Sequence, residues 1–153
     1  MSKPTLGIIG GGQLGSLLAI AANKLEIKTI VFCDDHDAPA QNFSNDFIFG
    51  KYNDQDKISE FINKVDVITY EFENIPYETL NEINKAKTVL PKPSVNRIIQ
   101  HRLAEKDFIN KLNIRTTRYV SVEKKSDINA VEDFLPGILK TVTLGYDGKG
   151  QHP

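Results

Sequence analysis

One glycine-rich segment near the start of the chain restricts its fold more than any other feature does. The run TLGIIG, residues 5–10, is short and apolar and ends in glycine, as is typical of a buried parallel β-strand. The run KTIVFC, residues 28–33, predicts a second strand. Between them, residues at helical spacing predict one apolar face of a helix: Leu14, Leu17, Leu18, Ala21, Ala22 and Leu25. We therefore expect a βαβ unit of about 30 residues here.

Strands and helices continue to alternate as far as residue 90. Residues 46–50, 66–70 and 88–90 predict three more strands. Two helices are predicted in the same region, the first capped by Asp54 and the second begun by Pro76. Their apolar positions are Ile58, Phe61, Ile62 and Val65 in the first helix, and Leu80 and Ile83 in the second. This alternation predicts an α/β fold with a parallel sheet.

The pattern changes near residue 100, which predicts a second module. Residues 102–112 and a stretch near residues 127–134 are expected to be helical, and residues 137–142 predict a strand. We therefore expect a first domain over residues 1–100 and a second over residues 101–153.

Composition excludes several classes of protein. Of 153 residues, 40% are hydrophobic and 25% are charged, which is typical of a soluble globular protein. The formal net charge of −1 gives no overall field that would recruit nucleic acid or an acidic membrane. The one cysteine, Cys33, allows neither an intrachain disulfide nor a cysteine metal cluster. The first residues contain no apolar run long enough for a signal peptide or a membrane span, so we expect a cytoplasmic protein.

The glycine loop after the first strand matches the pattern G-x-G-x-x-G through Gly10, Gly12 and Gly15. Because the loop follows a strand and opens a helix, it is suited to hold a phosphate at the helix N-terminus. Asp34 ends the second strand, where a dinucleotide-binding fold keeps an acid for the ribose hydroxyls. These residues make NAD a candidate ligand. The alternative is that the glycines only allow close packing of strand and helix.

Two carboxylates follow the predicted strand at residues 66–70. Glu71 and Glu73 lie just past its carboxyl end, where open α/β sheets bind ligands. If the segment stays extended, both side chains point the same way. They could then accept hydrogen bonds from an amine or a sugar hydroxyl, or act as a base. The alternative is a solvated acidic loop.

A second glycine-rich loop lies at residues 145–151. Lys140 stands on the strand before it, and Gly145, Gly148 and Gly150 surround Lys149. Lysine ammonium groups beside a glycine loop suit a polyphosphate, although the Walker A pattern is absent. The alternative is a plain hairpin turn, since Asp-Gly is a common turn signal.

Four motifs in this order, IGGGQLG, TYEFENIP, HRLAEKDF and LKTVTLGYDGKGQ, resemble the 5-(carboxyamino)imidazole ribonucleotide synthases. These are ATP-grasp ligases of purine biosynthesis, and the resemblance covers essentially the whole chain and the first two-fifths of the family's length. It implies a Rossmann-like pre-ATP-grasp domain followed by the start of an ATP-grasp domain. It also speaks against an NAD-dependent dehydrogenase. Non-catalytic modules that bind the ribonucleotide or NAD remain the alternatives.

The resemblance implies a reaction and a set of ligands. ATP and bicarbonate form carboxyphosphate, which carboxylates the amine of 5-aminoimidazole ribonucleotide, and Mg²⁺ bridges the ATP phosphates. The ATP-binding positions carried over are Arg102, Lys140, Gly145, Tyr146, Asp147, Gly148, Lys149, Gly150 and Gln151. Tyr146 and Asp147 are expected to face the ribonucleotide or bicarbonate, as catalytic residues. The ribonucleotide is expected to meet Gly12, Gln13, Leu14 and either Glu71 or Glu73, with Glu71 favoured.

The sequence departs from the family pattern in two ways. Ser16 and His101 replace an expected arginine and aspartate, and Val142 and Thr143 occupy positions that are often basic. The family's magnesium-binding carboxylates and C-terminal domain are also expected further downstream. We therefore expect a truncated ligase that is inactive alone and marginally stable after about residue 115. A homodimer, or a separate chain that supplies the other domains, is the expected partner.

Overall fold

The structure is a computed structural model that describes residues 3–145 and 148–153. The chain divides into two compact units, Met1–Asn96 and Arg97–Pro153. Within the described residues, no helix combines the length and the apolar character that crossing a membrane requires.

The first unit is built on a four-stranded parallel sheet in the order β3-β2-β1-β4. Ile8 at its centre pairs with Val31 on one side and Thr69 on the other. Its strands and α-helices, in chain order, are β1 (Leu6–Ile9), α1 (Gln13–Lys24), β2 (Thr29–Cys33), β3 (Asp46–Phe49), α2 (Gln55–Lys64), β4 (Val67–Tyr70), α3 (Tyr77–Ala86) and α4 (Pro93–Ile99). The helix α4 begins in the first unit and ends in the second. The strand predicted over residues 88–90 is reduced to a single bridge between Val89 and Ile68.

Both faces of this sheet are buried, as expected for parallel strands. One face packs against α2 and α3 through a cluster that includes Ile9, Phe32, Phe61 and Ile68. Of the apolar positions predicted for these helices, Ile58, Phe61, Val65, Leu80 and Ile83 are buried, and Ile62 is partly buried against the same cluster. Asp54 caps α2 by accepting hydrogen bonds from the backbone N–H groups of Asp56 and Lys57.

The prediction that the leucines of α1 form its buried face is wrong, although Ala22 is buried as predicted. The helix packs on the sheet through the small residues Gly15, Ser16, Ala19 and Ala22, whereas its leucines are exposed. The reason is the short distance between helix and strand. A Cβ on Gly15 would lie only 2.6 Å from the carbonyl oxygen of Gly10, so there is no room for large side chains on this face.

The second unit contains little regular structure. It comprises α5 (Arg102–Lys111), two 3-10 turns at Lys125–Ala130 and Glu132–Phe134, and an antiparallel pair formed by β5 (Leu139–Lys140) and β6 (Gln151–His152). The stretch near residues 127–134 is thus 3-10 rather than α-helical. The strand that returns after the glycine loop, β6, pairs with β5 over two residues. None of the residues whose burial is described in this unit is buried.

Candidate functional site

The glycine loop of the first unit connects β1 to α1 in a tight turn. Gly10 has φ of +103°, a left-handed conformation that favours glycine, and its N–H donates to the carbonyl of Phe32 at 2.9 Å. Gly12 is the N-cap of α1 and has no side chain to cap the helix. The loop therefore leaves backbone N–H groups at the start of α1 for another partner.

The side chain of Glu71 is the partner of one of these N–H groups. Glu71 directly follows β4, and because β4 lies beside β1, its backbone N–H donates to the carbonyl of Ile9 at 3.2 Å. Its carboxylate Oε1 accepts a hydrogen bond from the N–H of Gly12 at 3.1 Å. A Cβ on Gly10 would lie 2.8 Å from the same oxygen. The two motifs singled out separately in the sequence thus meet in one site.

The environment of Glu71 shifts the pKa of its carboxyl. Burial raises the pKa of this carboxyl above its usual value, and the nearby charge of Glu73 raises it further. The hydrogen bond from Gly12 opposes both effects and lowers the pKa, but the net shift is upward. A half-buried carboxylate held in this way is preorganised to accept hydrogen bonds from a ligand that brings N–H or O–H donors.

The other predicted residues of this site lie around the loop. Gln13 and Leu14 are exposed and begin α1. Glu73 lies in a turn with Asn74 and accepts a hydrogen bond from the Asn74 side chain at 3.3 Å. The extended segment on which both carboxylates would point the same way is therefore not formed. Asp34 is exposed and follows β2 directly.

Two residues that depart from the family pattern have structural roles. Ser16 is buried, and its hydroxyl donates to the carbonyl of Gly12 at 2.9 Å, which ties the first turn of α1 to the glycine loop. His101 is the N-cap of α5, and its Nδ1 accepts a hydrogen bond from the N–H of Ala104 at 3.3 Å. His101 thus takes the capping role that an aspartate performs well.

The second unit contains an open cleft of about 200 Å³. Its lining residues are Arg102, Lys140, Gly145, Gly148, Lys149, Gly150 and Gln151. The structure brings together these predicted ATP-binding residues from α5, β5, the loop and β6. The remaining two, Tyr146 and Asp147, lie outside the described residues. Three cationic side chains around glycine backbone are suited to bind a polyphosphate.

Hydrogen bonds of Arg102 and Thr141 stabilise the conformation of the loop beside this cleft. The guanidinium of Arg102 donates to the carbonyl of Thr141 at 3.3 Å and to that of Gly145 at 3.4 Å. The N–H of Thr141 donates to the carbonyl of Gly150 at 2.7 Å. Gly150 has φ of +66°, and a Cβ there would collide with the Thr141 hydroxyl. Sequence reasoning missed Thr141, because its role depends on the loop folding back onto β5.

The described residues contain no cluster of potential metal ligands. Across residues 3–145 and 148–153, no three or more His, Cys, Asp or Glu side chains are grouped so that they could hold a metal ion.

Comparison with known proteins identifies the family. The family model of the ribonucleotide synthetase preATP-grasp domain matches residues 3–100. The chain belongs to this family. As a ribonucleotide synthetase preATP-grasp protein, it has the expected α/β fold with a parallel sheet, which is confirmed.

Individual relatives match nearly the whole chain. The bifunctional purine synthesis protein purC/E of Dictyostelium discoideum is 44% identical over 149 residues, which are 96% of this chain and 15% of that protein. The N5-carboxyaminoimidazole ribonucleotide synthase of Brucella melitensis biotype 1 is 41% identical over 96% of this chain and 41% of its own. These similarities confirm the resemblance inferred from the four motifs.

A solved structure agrees in fold. The crystal structure of N5-carboxyaminoimidazole synthetase from Staphylococcus aureus complexed with ADP superposes with a TM-score of 0.90 at 36% identity. The match covers 97% of this chain and 40% of that one. The preATP-grasp chain therefore spans about two-fifths of the length of the synthases that it matches, and less of the bifunctional protein.

Proposed function

We propose that this chain supplies the ribonucleotide-binding loop and the ATP phosphate-binding cleft of an N5-carboxyaminoimidazole ribonucleotide synthase, an enzyme of purine biosynthesis in the cytoplasm. The observation that carries the proposal is the cleft formed by Arg102, Lys140 and the glycine loop. The similarity to a synthase that was crystallised with ADP supports it.

The cleft provides what the phosphates of ATP require. Lys140 and Lys149 are point charges, and the planar guanidinium of Arg102 can donate two parallel hydrogen bonds to phosphate oxygens. The contacts of Arg102 with Thr141 and Gly145 orient that guanidinium towards the loop. Glycines at positions 148 and 150 let backbone N–H groups approach the anion closely.

The glycine loop of the first unit suits the second substrate. In the proposal, Glu71 accepts hydrogen bonds from the amine or the ribose hydroxyls of 5-aminoimidazole ribonucleotide, and Gln13 and Leu14 contribute the start of α1. The carboxylate of Glu71 already lies against the N–H of Gly12, where the pyrophosphate of a dinucleotide would otherwise bind. Two anions repel each other there, so this geometry disfavours NAD.

The proposed reaction has two steps. A bicarbonate oxygen attacks the γ-phosphorus of ATP, the bond to ADP breaks, and carboxyphosphate forms. The amine of the ribonucleotide then attacks the carboxyl carbon of carboxyphosphate. The bond from that carbon to the phosphate oxygen breaks, phosphate leaves, and the amine loses a proton. The cations of the cleft stabilise the negative charge that moves to the leaving ADP. Tyr146 and Asp147 remain predicted catalytic residues that face the ribonucleotide or bicarbonate.

Mg²⁺ belongs to the proposal only as a companion of ATP. It would offset the phosphate charge, and among the described residues no cluster of three or more His, Cys, Asp or Glu side chains could hold it, so no step depends on it here.

A chimera tests this function. In this chimera, the chain replaces the part of the Brucella melitensis synthase that it matches. The release of ADP from ATP is then measured with bicarbonate, in the presence and absence of 5-aminoimidazole ribonucleotide. We expect ribonucleotide-dependent ADP release that is lost on Lys140→Ala and retained on Lys125→Ala. A folded chimera that releases no ADP, or releases it without regard to the ribonucleotide, contradicts the proposal.

A further inference from the structure

A fully buried polar side chain, Asn96, lies in α4. Its Nδ2 donates a hydrogen bond to the backbone carbonyl of Ile75 at 2.9 Å. Its Oδ1 is also buried, and no described residue donates a hydrogen bond to it. A buried acceptor without a donor costs stability, and a leucine of similar shape would avoid that cost. Packing alone therefore does not explain an asparagine at this position, whereas its hydrogen bond to Ile75 does.

The carbonyl that Asn96 binds belongs to the segment that carries Glu71. Residues 71–76 connect β4 to α3. At the start of this connection, the backbone N–H of Glu71 donates to a carbonyl of β1 at 3.2 Å. Near its end, the N–H of Ile75 donates to the carbonyl of Phe72 at 3.3 Å, and the side chain of Ile75 is fully buried in the core. The hydrogen bond from Asn96 fixes the carbonyl of Ile75 as well, so the connection is held at both ends.

Asn96 also lies beside the residue that precedes Glu71. The hydroxyl of Tyr70 is buried, and burial raises its pKa. The backbone N–H of Asn96 is near enough to this hydroxyl to oppose the rise in pKa, although the hydroxyl has no hydrogen-bond partner among the described residues. Asn96 thus lies near the chain on both sides of Glu71, at Tyr70 before it and at Ile75 after it.

The contact that depends on this connection is the hydrogen bond from Gly12 to the carboxylate of Glu71. A shift of the connection by about 1 Å would lengthen this bond from 3.1 Å to beyond hydrogen-bonding range. We propose that Asn96 is a positioning residue for the ribonucleotide. By fixing the carbonyl of Ile75, it keeps the Glu71 carboxylate at the glycine loop, where the N–H and O–H donors of the ribonucleotide meet it. The identity of the ligand rests on the proposed function, whereas the control of Glu71 by Asn96 does not.

Amide NMR of the full chain tests the positioning step without a ligand. Because the N–H of Gly12 donates to the carboxylate of Glu71, its resonance should shift with pH in the wild type and not in Glu71→Gln. Asn96→Leu should reduce this pH-dependent shift about twofold, because the contact is then formed only part of the time. It should also make hydrogen exchange of the Gly12 amide several-fold faster. Asn96→Ala adds no volume to the core and gives the same test if leucine prevents folding.

The matched control is Thr79→Val. Thr79 is also buried, and its hydroxyl donates to the carbonyl of Tyr52 at 2.7 Å, so this variant loses a similar side chain–backbone hydrogen bond elsewhere in the first unit. It should leave the Gly12 amide as it is in the wild type. A Gly12 amide that is unchanged in the Asn96 variants, or that changes as much in Thr79→Val, overturns the proposal, because Asn96 would then contribute only to general stability.

Kinetics of the chimera with the Brucella melitensis synthase separate this positioning role from the proposed function. Asn96→Leu should raise the KM for 5-aminoimidazole ribonucleotide about tenfold and leave the KM for ATP unchanged, since only the ribonucleotide site loses its alignment. Thr79→Val should change neither. An unchanged KM for the ribonucleotide, or an equal rise in both KM values, overturns the positioning role while the wild-type chimera still supports the proposed function. A wild-type chimera without ribonucleotide-dependent ADP release contradicts the proposed function, and the Gly12 amide then decides whether Asn96 positions Glu71.

Discussion

The carboxylate of Glu71 accepts a hydrogen bond from the backbone N–H of Gly12 at 3.1 Å. This contact joins the residue after β4 to the loop after β1, two places that are 59 residues apart in the chain. It places a half-buried carboxylate, rather than free N–H groups alone, at the start of α1. A carboxylate in this position can accept hydrogen bonds from a ligand.

Glu71→Gln should stabilise the first unit at neutral pH. Because the folded-state pKa of Glu71 lies above its unfolded-state value, the ionised form costs stability, and this cost grows as pH rises from the unfolded-state pKa through the folded-state pKa. The amide oxygen of glutamine can still accept from Gly12. In urea unfolding, the variant should therefore be more stable than the wild type at pH 7, and the difference should vanish below about pH 4.

The control for this prediction is Glu123→Gln, which changes an exposed carboxylate of the second unit. Its unfolding is measured over the same pH range as that of Glu71→Gln. A wild type that becomes less stable, relative to Glu71→Gln, as the pH is lowered towards 4 would show that the folded state prefers the ionised carboxylate.

Gly15→Ala should destabilise the first unit by about 1–2 kcal/mol. Its Cβ would lie 2.6 Å from the carbonyl of Gly10, and overpacking of backbone costs about 1–3 kcal/mol, which exceeds the helix-propensity gain of up to about 1 kcal/mol. Gly12→Ala is the comparison, because the nearest atom is the end of the Glu71 side chain at 3.3 Å, which can move. Thermal unfolding should rank Gly15→Ala as the more damaging change, and the reverse order would contradict the packing argument.

His101→Ala should loosen the first turn of α5. Loss of an N-cap acceptor costs about 1 kcal/mol, so hydrogen exchange of the Ala104 amide should become several-fold faster. His101→Asp restores an acceptor of the favoured type and should keep or increase the protection of that amide. Equal exchange rates in the wild type and both variants would mean that the cap contributes nothing.

Lys140→Ala should weaken ATP binding by about tenfold, since a charge-assisted hydrogen bond contributes on the order of 1.5 kcal/mol. The measurement is titration calorimetry with ATP, repeated at higher salt, where the difference between wild type and variant should shrink because the contact is ionic. Lys125→Ala removes an exposed lysine that does not line the cleft and should bind ATP as the wild type does. If Lys140→Ala and Lys125→Ala bound ATP with equal affinity, the ATP phosphates would not contact Lys140.

The sequence predicted the sheet of the first unit well, because its strands are apolar runs bounded by glycine or by polar residues. The positions of Ile58, Phe61, Leu80 and Ile83 were predicted for the same reason, since α2 and α3 bury large side chains at helical spacing. The same rule failed for α1. The helical spacing of large apolar residues was used to predict the buried face. At Gly15, however, α1 lies so close to the end of β1 that only small side chains fit between the helix and the sheet.

The resemblance assigned Glu71 and Gly12 to one ribonucleotide site, but the hydrogen bond between them could not be predicted from the local sequence patterns. It depends on β4 being the neighbour of β1, and strand order is not encoded in the local pattern of either strand. The role of Thr141 was hidden in the same way, since it follows from the pairing of β5 with β6 across the loop. In both cases the residue types were informative, and the partners became visible only in the fold.

The most direct test of the two proposed sites is an amide ¹⁵N–¹H NMR titration of the full chain, first with 5-aminoimidazole ribonucleotide and then with magnesium-ATP. We expect the ribonucleotide to shift the resonances of Gly12, Gln13 and Leu14, and ATP to shift those of Gly145 and residues 148–151. If the ribonucleotide shifts none of the first set, or NADH shifts that set together with Asp34, the proposed assignment of the glycine loop is wrong.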